Sequence, residues 1–432
     1  ADGQVRAKRL IFSVGWYNIY LQVYTCIIHQ STININRKER LLKICFAVCE
    51  YNPFHNGHLY HLDYIKKEIK PDYIVIVMSG NFTQRGEIAV MDKYTRATHA
   101  IKAGADAVIE LPTVFATANA EIFAKGAIKL ASSVKSEKVL CFGTENAEKT
   151  KLLSTAKALL DESKEFKKLY KNELKTGVTP IKAKINALSK MNFSDVDFEL
   201  LKTPNNILGI EYAKAVISSG SDIDLRPIIR EGAGYNESAL SGETPSALAI
   251  RTAISEEKLK KVKPFVPSFV YPDLPDKLPD ADDLIFYSLL KTPKSDMAKI
   301  LDCGEGLENR IKALAKSCSS LTELKDRLKT KRYTYARLSR ILTSCMLGIT
   351  EKLVRKSLSQ DLYLKVLAVN KEKTDLLSQF SSLSGYPLIT RKSDVIKLDG
   401  AASECFREDV FANDVYNFIN KKHTNEYEMK LV

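Results

Sequence analysis

From Ile44 onward the chain alternates two spacings of apolar residues. Short, nearly continuous apolar runs occur at 44–51 (ICFAVCEY), 73–78 (YIVIVM), 106–111 (DAVIEL), 138–143 (KVLCFG) and 224–229 (DLRPII). Between them, apolar residues recur every three or four positions. The first such stretch is 58–70, with Leu59, Leu62, Ile65 and Ile69 on one side; 92–103, 119–133 and 204–216 follow. The first pattern predicts strands, helped by β-branched residues, and the second predicts amphipathic helices. Pro71-Asp72 and Gly104 stop the first two helices. Strands without in-and-out alternation are buried on both faces. The expected fold class is therefore α/β, a parallel sheet with helices on each side.

Residues 147–200 read as a lysine-rich helical insertion, and Thr244-Pro245 opens a helix that contains Arg251. The run 263–281 holds five prolines and reads as a linker. Beyond it the pattern is mainly helical to about 358, followed by a mixed tail. The expected organisation is an α/β domain over 44–262, the linker, and a mainly helical domain over 282–432. Residues 10–29 are moderately apolar but interrupted by Asn18, Gln22 and Thr25. They make a marginal span, and no small-residue cleavage pattern follows. Residues 1–43 are expected to be a non-native or unstructured extension, with an anchoring or cleavable segment as the alternative. No internal repeats are visible.

With 432 residues, 45% apolar and 27% charged, the chain is neither disordered, collagen-like nor a polytopic membrane protein. Its eight cysteines form no CxxC pair, so buried free thiols in a reducing cytoplasm are expected rather than disulfides or a zinc ribbon. The net charge of +13 hints at a polyanionic partner. Its distribution says more. Residues 44–131 hold 9 basic and 9 acidic side chains, while 310–356 hold 13 basic and 3 acidic.

The strongest chemical signal is Pro53-Phe54-His55-Asn56-Gly57-His58, with three of the six histidines between 55 and 61. It falls where a strand feeds a helix, the ligand-binding position of open α/β sheets. Helix N-terminal amides favour phosphate there, and Gly57 admits close approach. His55 and His58, three residues apart, can donate to oxygens that gain charge during attack at phosphorus. They are the candidate catalytic residues. Surface histidines in a loop are the bland alternative. No companion His/Cys cluster completes a zinc site, so no protein metal site is expected.

This HxGH segment is similar to the HIGH motif of the adenylyl-transferring superfamily, which includes class I aminoacyl-tRNA synthetases. Longer stretches resemble one family, the bacterial tRNA(Met) cytidine acetate ligases. They are CEYNPFHNGHLYHL (49–62), MSGNFTQRGEIAV (78–90), VIELPTVFATANAEIFAKGAI (108–128), FGTE (142–145), TPNNILGIEYAKA (203–215), REGAGYNESAL (230–240), EGLENRIKALA (305–315) and KTKRYTYARLSRIL (329–342). The resemblance implies a Rossmann-like HIGH-superfamily nucleotidyltransferase domain followed by a mainly helical C-terminal domain. It implies that ATP and acetate give acetyl-adenylate, whose acetyl group passes to N4 of the wobble cytidine of elongator tRNA(Met). The ATP contacts it implies are Val48, Cys49, Glu50, Tyr51, Asn52, Pro53, Phe54, His55, Asn56, Gly57, His58, Leu59, Tyr60 and His61, with Gly143, Asn205 and Arg230. Mg²⁺ is expected with the triphosphate. A late phosphate-gripping motif reads Ser246-Ala247-Leu248-Ala249-Ile250-Arg251 here. Leu248 replaces a threonine, and Arg251 remains the phosphate candidate. Ile229 stands where the family tends to have lysine. Lys190-Met191-Asn192-Phe193-Ser194 resembles the synthetase KMSKS loop only superficially.

Lys329, Lys331, Arg332, Arg337 and Arg340 interleave with Tyr333 and Tyr335. Leu338, Ile341, Leu342, Cys345 and Met346 form an apolar stripe, which leaves Arg337 and Arg340 for the other side. Basic residues track phosphates and tyrosines stack on unpaired bases, so this segment is the candidate tRNA surface. A solvated helix face is the bland alternative. The expected function is thus a cytoplasmic ligase without membrane contact. An adenylyltransferase making a small cofactor and a non-catalytic RNA-binding protein are the other readings. The sequence fixes no oligomeric state.

Overall fold

In the computed structural model the apolar runs become β1 (Lys43–Cys49), β2 (Tyr73–Ser79), β3 (Ala107–Leu111), β4 (Glu137–Thr144) and β5 (Asp224–Ile229). The structure describes residues 41–432 except 147, 162, 179, 192, 194, 195, 231–239, 241–244 and 331. The expected extension up to residue 40, Trp16, most of the REGAGYNESAL stretch, Thr244 and Lys331 therefore lie outside the described residues. The five strands are parallel, in the order β5-β4-β1-β2-β3. Ile44, Cys45, Phe46 and Ala47 of β1 are wholly buried, as are all of β2 and β3. The chain runs outward from β1 to β3 and then returns to place β4 on the other side of β1. The strand order reverses between β1 and β4, and that cleft is where such sheets bind ligands.

Helices α1 (Asn56–Tyr64), α2 (Lys93–Lys102) and α3 (Ala120–Ser132) connect the first strands. Helix α1 continues as a π-helical turn, Ile65–Ile69, before Lys70 adopts a left-handed conformation ahead of Pro71. Between β4 and β5 lie α4 (Lys149–Leu159), α5 (Lys164–Lys175), α6 (Pro180–Ser189) and α7 (Pro204–Ser219). Helix α8 (Ala247–Ser255) follows β5. Among the described residues the cysteines are free thiols.

Two expectations are corrected. The proline-rich run 263–281 is not a free linker. Val266, Val270 and Leu274 are buried, as is Val262 just before the run. The run is tied down by Asn56 Nδ2 donating to the Pro264 carbonyl (2.9 Å) and by His99 Nε2 against Asp273 (2.8 Å). Its prolines break helix, but the valines between them still bury apolar surface.

The C-terminal region is also not a separate helical body. It contains α9 (Asp282–Lys291), α10 (Leu307–Leu314), α11 (Leu321–Leu328), α12 (Tyr335–Leu347) and α13 (Glu351–Ser359). It then returns to the sheet as β6 (Leu364–Val369), antiparallel to β3, and residues 43–432 form one compact unit. This wholly buried strand covers an edge that β3 would otherwise expose. The short strands β7 (Leu388–Ile389) and β8 (Lys430–Leu431) pair with it, and α14 (Gly400–Asn420) packs nearby. Lys365 of β6 is buried with Lys93, Glu110 and Glu426 as a mutually compensating ion network. No helix among the described residues is long and apolar enough to cross a membrane.

Candidate active site

The HxGH segment builds its own helix cap. His55 is the N-cap of α1, and its Nδ1 accepts from the Gly57 amide (3.1 Å). His58 Nδ1 accepts in turn from the His55 amide (3.2 Å). The two rings stack with centroids 3.8 Å apart. With both Nδ1 atoms accepting, each neutral ring carries its proton on Nε2. Burial, and then the positive charge of Arg230, push the His55 pKa down to about 3. Burial, His55, Arg230 and His61 push His58 well below its ordinary range. Burial also brings His61 down to about 4. At neutral pH the site therefore offers uncharged Nε2–H donors. A Cβ at residue 57 would sit 2.9 Å from His55 Cε1, which explains the glycine.

Beneath the histidines, buried Tyr51 and Phe54 pack against each other and against His58. They form a floor, as their burial leaves little side-chain surface for a ligand. Across the cleft, Gly143 lies near the end of β4 with Arg230 laid over it; a Cβ there would stand 2.9 Å from Arg230 Cγ. The Arg230 amide donates to the Thr144 carbonyl (2.9 Å). Glu145 accepts from the Asn205 amide (3.1 Å), Asn205 Nδ2 (2.8 Å) and the Asn206 amide (2.8 Å). It thereby positions Asn205 at the start of α7. The sequence reading quoted Glu145 within FGTE and gave it no role.

The third wall is the loop 79–91, also without a role in the sequence reading. The Gln84 amide donates to Glu50 Oε1 (2.7 Å) and the Val90 amide to Asn52 Oδ1 (2.8 Å). Arg251 donates to the Asn52 carbonyl (2.8 Å) and pairs with Glu87 (2.9 Å). Ser246 caps α8 through the Ala249 amide (3.1 Å), so this serine shapes the helix start that presents Arg251. Fully buried Arg96 donates to the carbonyls of Glu50, Ser79, Gly80 and Met91, fixing loop and strand ends together. The available signal was that Arg96 shares a helical face with Ala97 and Ala100, which are buried. The structure thus brings His55, His58, Gly143, Asn205, Arg230 and Arg251 to one sheet edge.

The basic segment is only partly open. Lys329 Nζ lies 4.3 Å from the ring centre of Tyr335, which is exposed and donates to Asp326. Arg332 is exposed and paired with Glu305. Tyr333 is buried under the Arg337 guanidinium, 4.9 Å from its ring centre, so its expected stacking on a base is corrected: it supports Arg337. Arg337 donates to the Asp302 carbonyl (2.8 Å). Arg340 is half-buried rather than fully projecting, and the backbone of α12 beside it docks on the loop 79–91. A Cβ at Gly86 would stand 2.5 Å from the Arg340 amide, and Thr343 donates to the Gly86 carbonyl (2.8 Å).

A nucleotide-binding edge with an HxGH helix cap defines a class, and the comparisons agree. The HIGH Nucleotidyl Transferase family model matches residues 42–430, and the chain belongs to that family. Among its relatives are tRNA(Met) cytidine acetate ligases. That of Caldanaerobacter subterraneus is 40% identical, covering 87% of this chain and 94% of its own. That of Clostridium acetobutylicum is 36% identical, covering 90% and 100%. The apo crystal structure of Thermotoga maritima TmcAL superposes with a TM-score of 0.83 at 30% identity, covering 90% of this chain and all of that one. The same protein bound with alpha-thio ATP gives 0.80.

Proposed function

We propose that the protein is an ATP-dependent ligase that activates acetate as acetyl-adenylate and acetylates N4 of the wobble cytidine of elongator tRNA(Met). One observation carries the chemistry: at the sheet's reversal point two stacked imidazoles accept backbone amides at Nδ1, which turns their Nε2–H groups into donors. Attack of an acetate oxygen on the α-phosphorus of ATP builds negative charge on phosphate oxygens and expels pyrophosphate. Preorganised donors stabilise that charge without having to lose a proton. Arg230 and Arg251 add positive charge, and Asn205 is held ready for the nucleoside. The similarity to named ligases along nearly the whole chain supports acetate and tRNA(Met) as the other reactants.

Mg²⁺ would accompany ATP and offset phosphate charge. Among the described residues no group of three His, Cys, Asp or Glu stands ready for a metal. Phosphate oxygens rather than a protein cage would hold it, and no step above depends on it. The tRNA is assigned to Lys329, Arg332 and Tyr335, the exposed members of the basic segment among the described residues.

Acetate-dependent ATP–pyrophosphate exchange, without and with tRNA, tests the proposal. Exchange that needs acetate, followed by acetylation of added tRNA(Met), is expected. Exchange without acetate dependence favours a cofactor adenylyltransferase. Tight tRNA binding without exchange favours a binding protein.

A further inference from the structure

We propose that Glu50 is the base that takes the proton from the cytidine amine during acetyl transfer. This rests on the ligase reading above and assigns a catalytic residue to its second step. The first step moves no proton, because a carboxylate oxygen attacks phosphorus. In the second, the N4–carbonyl carbon bond forms. The bond from that carbon to the AMP phosphate oxygen breaks, and its electron pair leaves with AMP. The nitrogen must then shed one proton.

The described site holds few acceptors for it. His55 and His58 have committed both Nδ1 atoms to backbone amides, and their Nε2 atoms carry hydrogen. Burial makes both rings, and His61, poor bases. Both oxygens of Glu145 are engaged by N–H donors from Asn205 and Asn206. Glu87 is engaged with Arg251.

Glu50 differs from all of these. Oε1 accepts from the Gln84 amide at 2.7 Å, while Oε2 accepts no hydrogen bond from the described residues. One oxygen fixes the side chain and the other stays available. Arg96, donating to the Glu50 carbonyl, fixes the backbone as well.

Its position suits the second step. Glu50 directly follows β1, at the root of the HxGH loop, and faces the loop 79–91. The other side of that loop docks on α12, the helix that follows Lys329 and Arg332 and begins with Tyr335. The carboxylate therefore sits in the adenylation cleft on the loop that also packs against this helix. Burial raises its pKa above the ordinary carboxylate range, opposed by the Gln84 amide, Arg251 and Arg85 and assisted by Glu87. A carboxylate so raised is a stronger base than one on the surface.

Glu50→Gln keeps an oxygen for the Gln84 amide and removes the basicity. Enzyme holding acetyl-adenylate is mixed with tRNA(Met), and N4-acetylcytidine formation is followed over a single turnover across the acid-to-neutral range. The wild-type rate is expected to rise with pH, as the base works deprotonated, and to level off above the Glu50 titration. Glu50→Gln is expected to lower transfer by about 10²–10⁴-fold and to abolish that rise. Acetate-dependent exchange should fall far less. Glu50→Asp should keep the rise at an intermediate rate, which guards against a mere folding defect. Equal losses in exchange and transfer, or a rise that survives in Glu50→Gln, would overturn the proposal. Absence of acetate-dependent exchange in the wild type would overturn the ligase reading, and the proposal with it.

Discussion

His58 uses its two nitrogens for different ends, and two substitutions separate them. Nδ1 accepts the His55 amide at 3.2 Å and closes half of the helix cap. Nε2 carries the hydrogen offered to phosphate. Asparagine ends about where Nδ1 lies, so His58→Asn can keep the cap and loses the distal donor. Glutamine reaches about as far as Nε2, so His58→Gln can keep the donor and loses the cap. One charge-stabilising donor is worth about 2.7–4 kcal/mol, or about 10²–10³-fold in rate. Half a cap is worth about 1 kcal/mol of folding stability. His58→Asn should therefore lower acetate-dependent ATP–pyrophosphate exchange by about 10²–10³-fold with nearly unchanged unfolding. His58→Gln should stay within about tenfold in rate and lose about 1 kcal/mol by urea unfolding. Because both rings are neutral far below their ordinary range, wild-type exchange should show no histidine titration near neutrality. The reverse order of the two variants, or a titration near the usual 6.5 that vanishes in His58→Asn, would refute the donor role.

Three further outcomes follow from the geometry. Partly buried His61 stays neutral in the fold down to about pH 4, whereas the unfolded chain takes up a proton below about 6.5. Stability from this residue is thus present above about 6.5 and declines as pH falls toward 4, by about 1.4 kcal/mol per pH unit. The urea-unfolding free energy of His61→Gln should fall less steeply over that window, and equal slopes would refute the account. Gly143→Ala places a Cβ 2.9 Å from Arg230 Cγ and should displace that side chain. The KM for ATP should rise about tenfold, about 1.4 kcal/mol; an unchanged KM removes Arg230 from the nucleotide site. Replacing Lys329 and Arg332 together by alanine should weaken tRNA binding and flatten its logarithmic salt dependence by about two units. An unchanged slope places the RNA elsewhere.

Strands β1 to β4 were legible because each is a short apolar run buried largely on both faces, so burial and sequence pattern coincide; β5, at the sheet edge, exposes Arg226 and Ile229. The HxGH cap was legible because strand, turn and helix adjoin in the chain. What escaped depends on partners far away. Asn205 was read as a nucleoside contact, yet its amide is held by Glu145, sixty residues earlier. Nothing local marks that pairing. The buried strand 364–369 fell within the mixed tail, and it carries Lys365. The carboxylates that compensate its charge, Glu110 and Glu426, lie in different parts of the chain. Tyr333 looked available because it interleaves with basic residues, and Arg340 because helical spacing puts it off the apolar stripe. The loop 79–91, which packs on the backbone of α12 at Ser339 and Arg340, is far away in the chain.

That loop also touches both the candidate adenylation cleft and α12. Phe82 and Ile88 bridge its limbs, and Gly86 turns its tip with φ at +70°. On one side its Gln84 amide and Glu87 carboxylate hold Glu50 and Arg251, both in the adenylation cleft. On the other, Gly86 lies against the backbone of Ser339 and Arg340 so closely that a side chain there would collide with α12. A displacement of α12 by bound RNA must therefore move the loop or break the Thr343–Gly86 hydrogen bond. Glu87 would compete with a phosphate for Arg251, so ATP bound as proposed would act on the same loop from the other end. The proposed adenylation cleft and the helix beside the proposed RNA surface thus share one loop of about a dozen residues, tied to both by packing, hydrogen bonds and an ion pair.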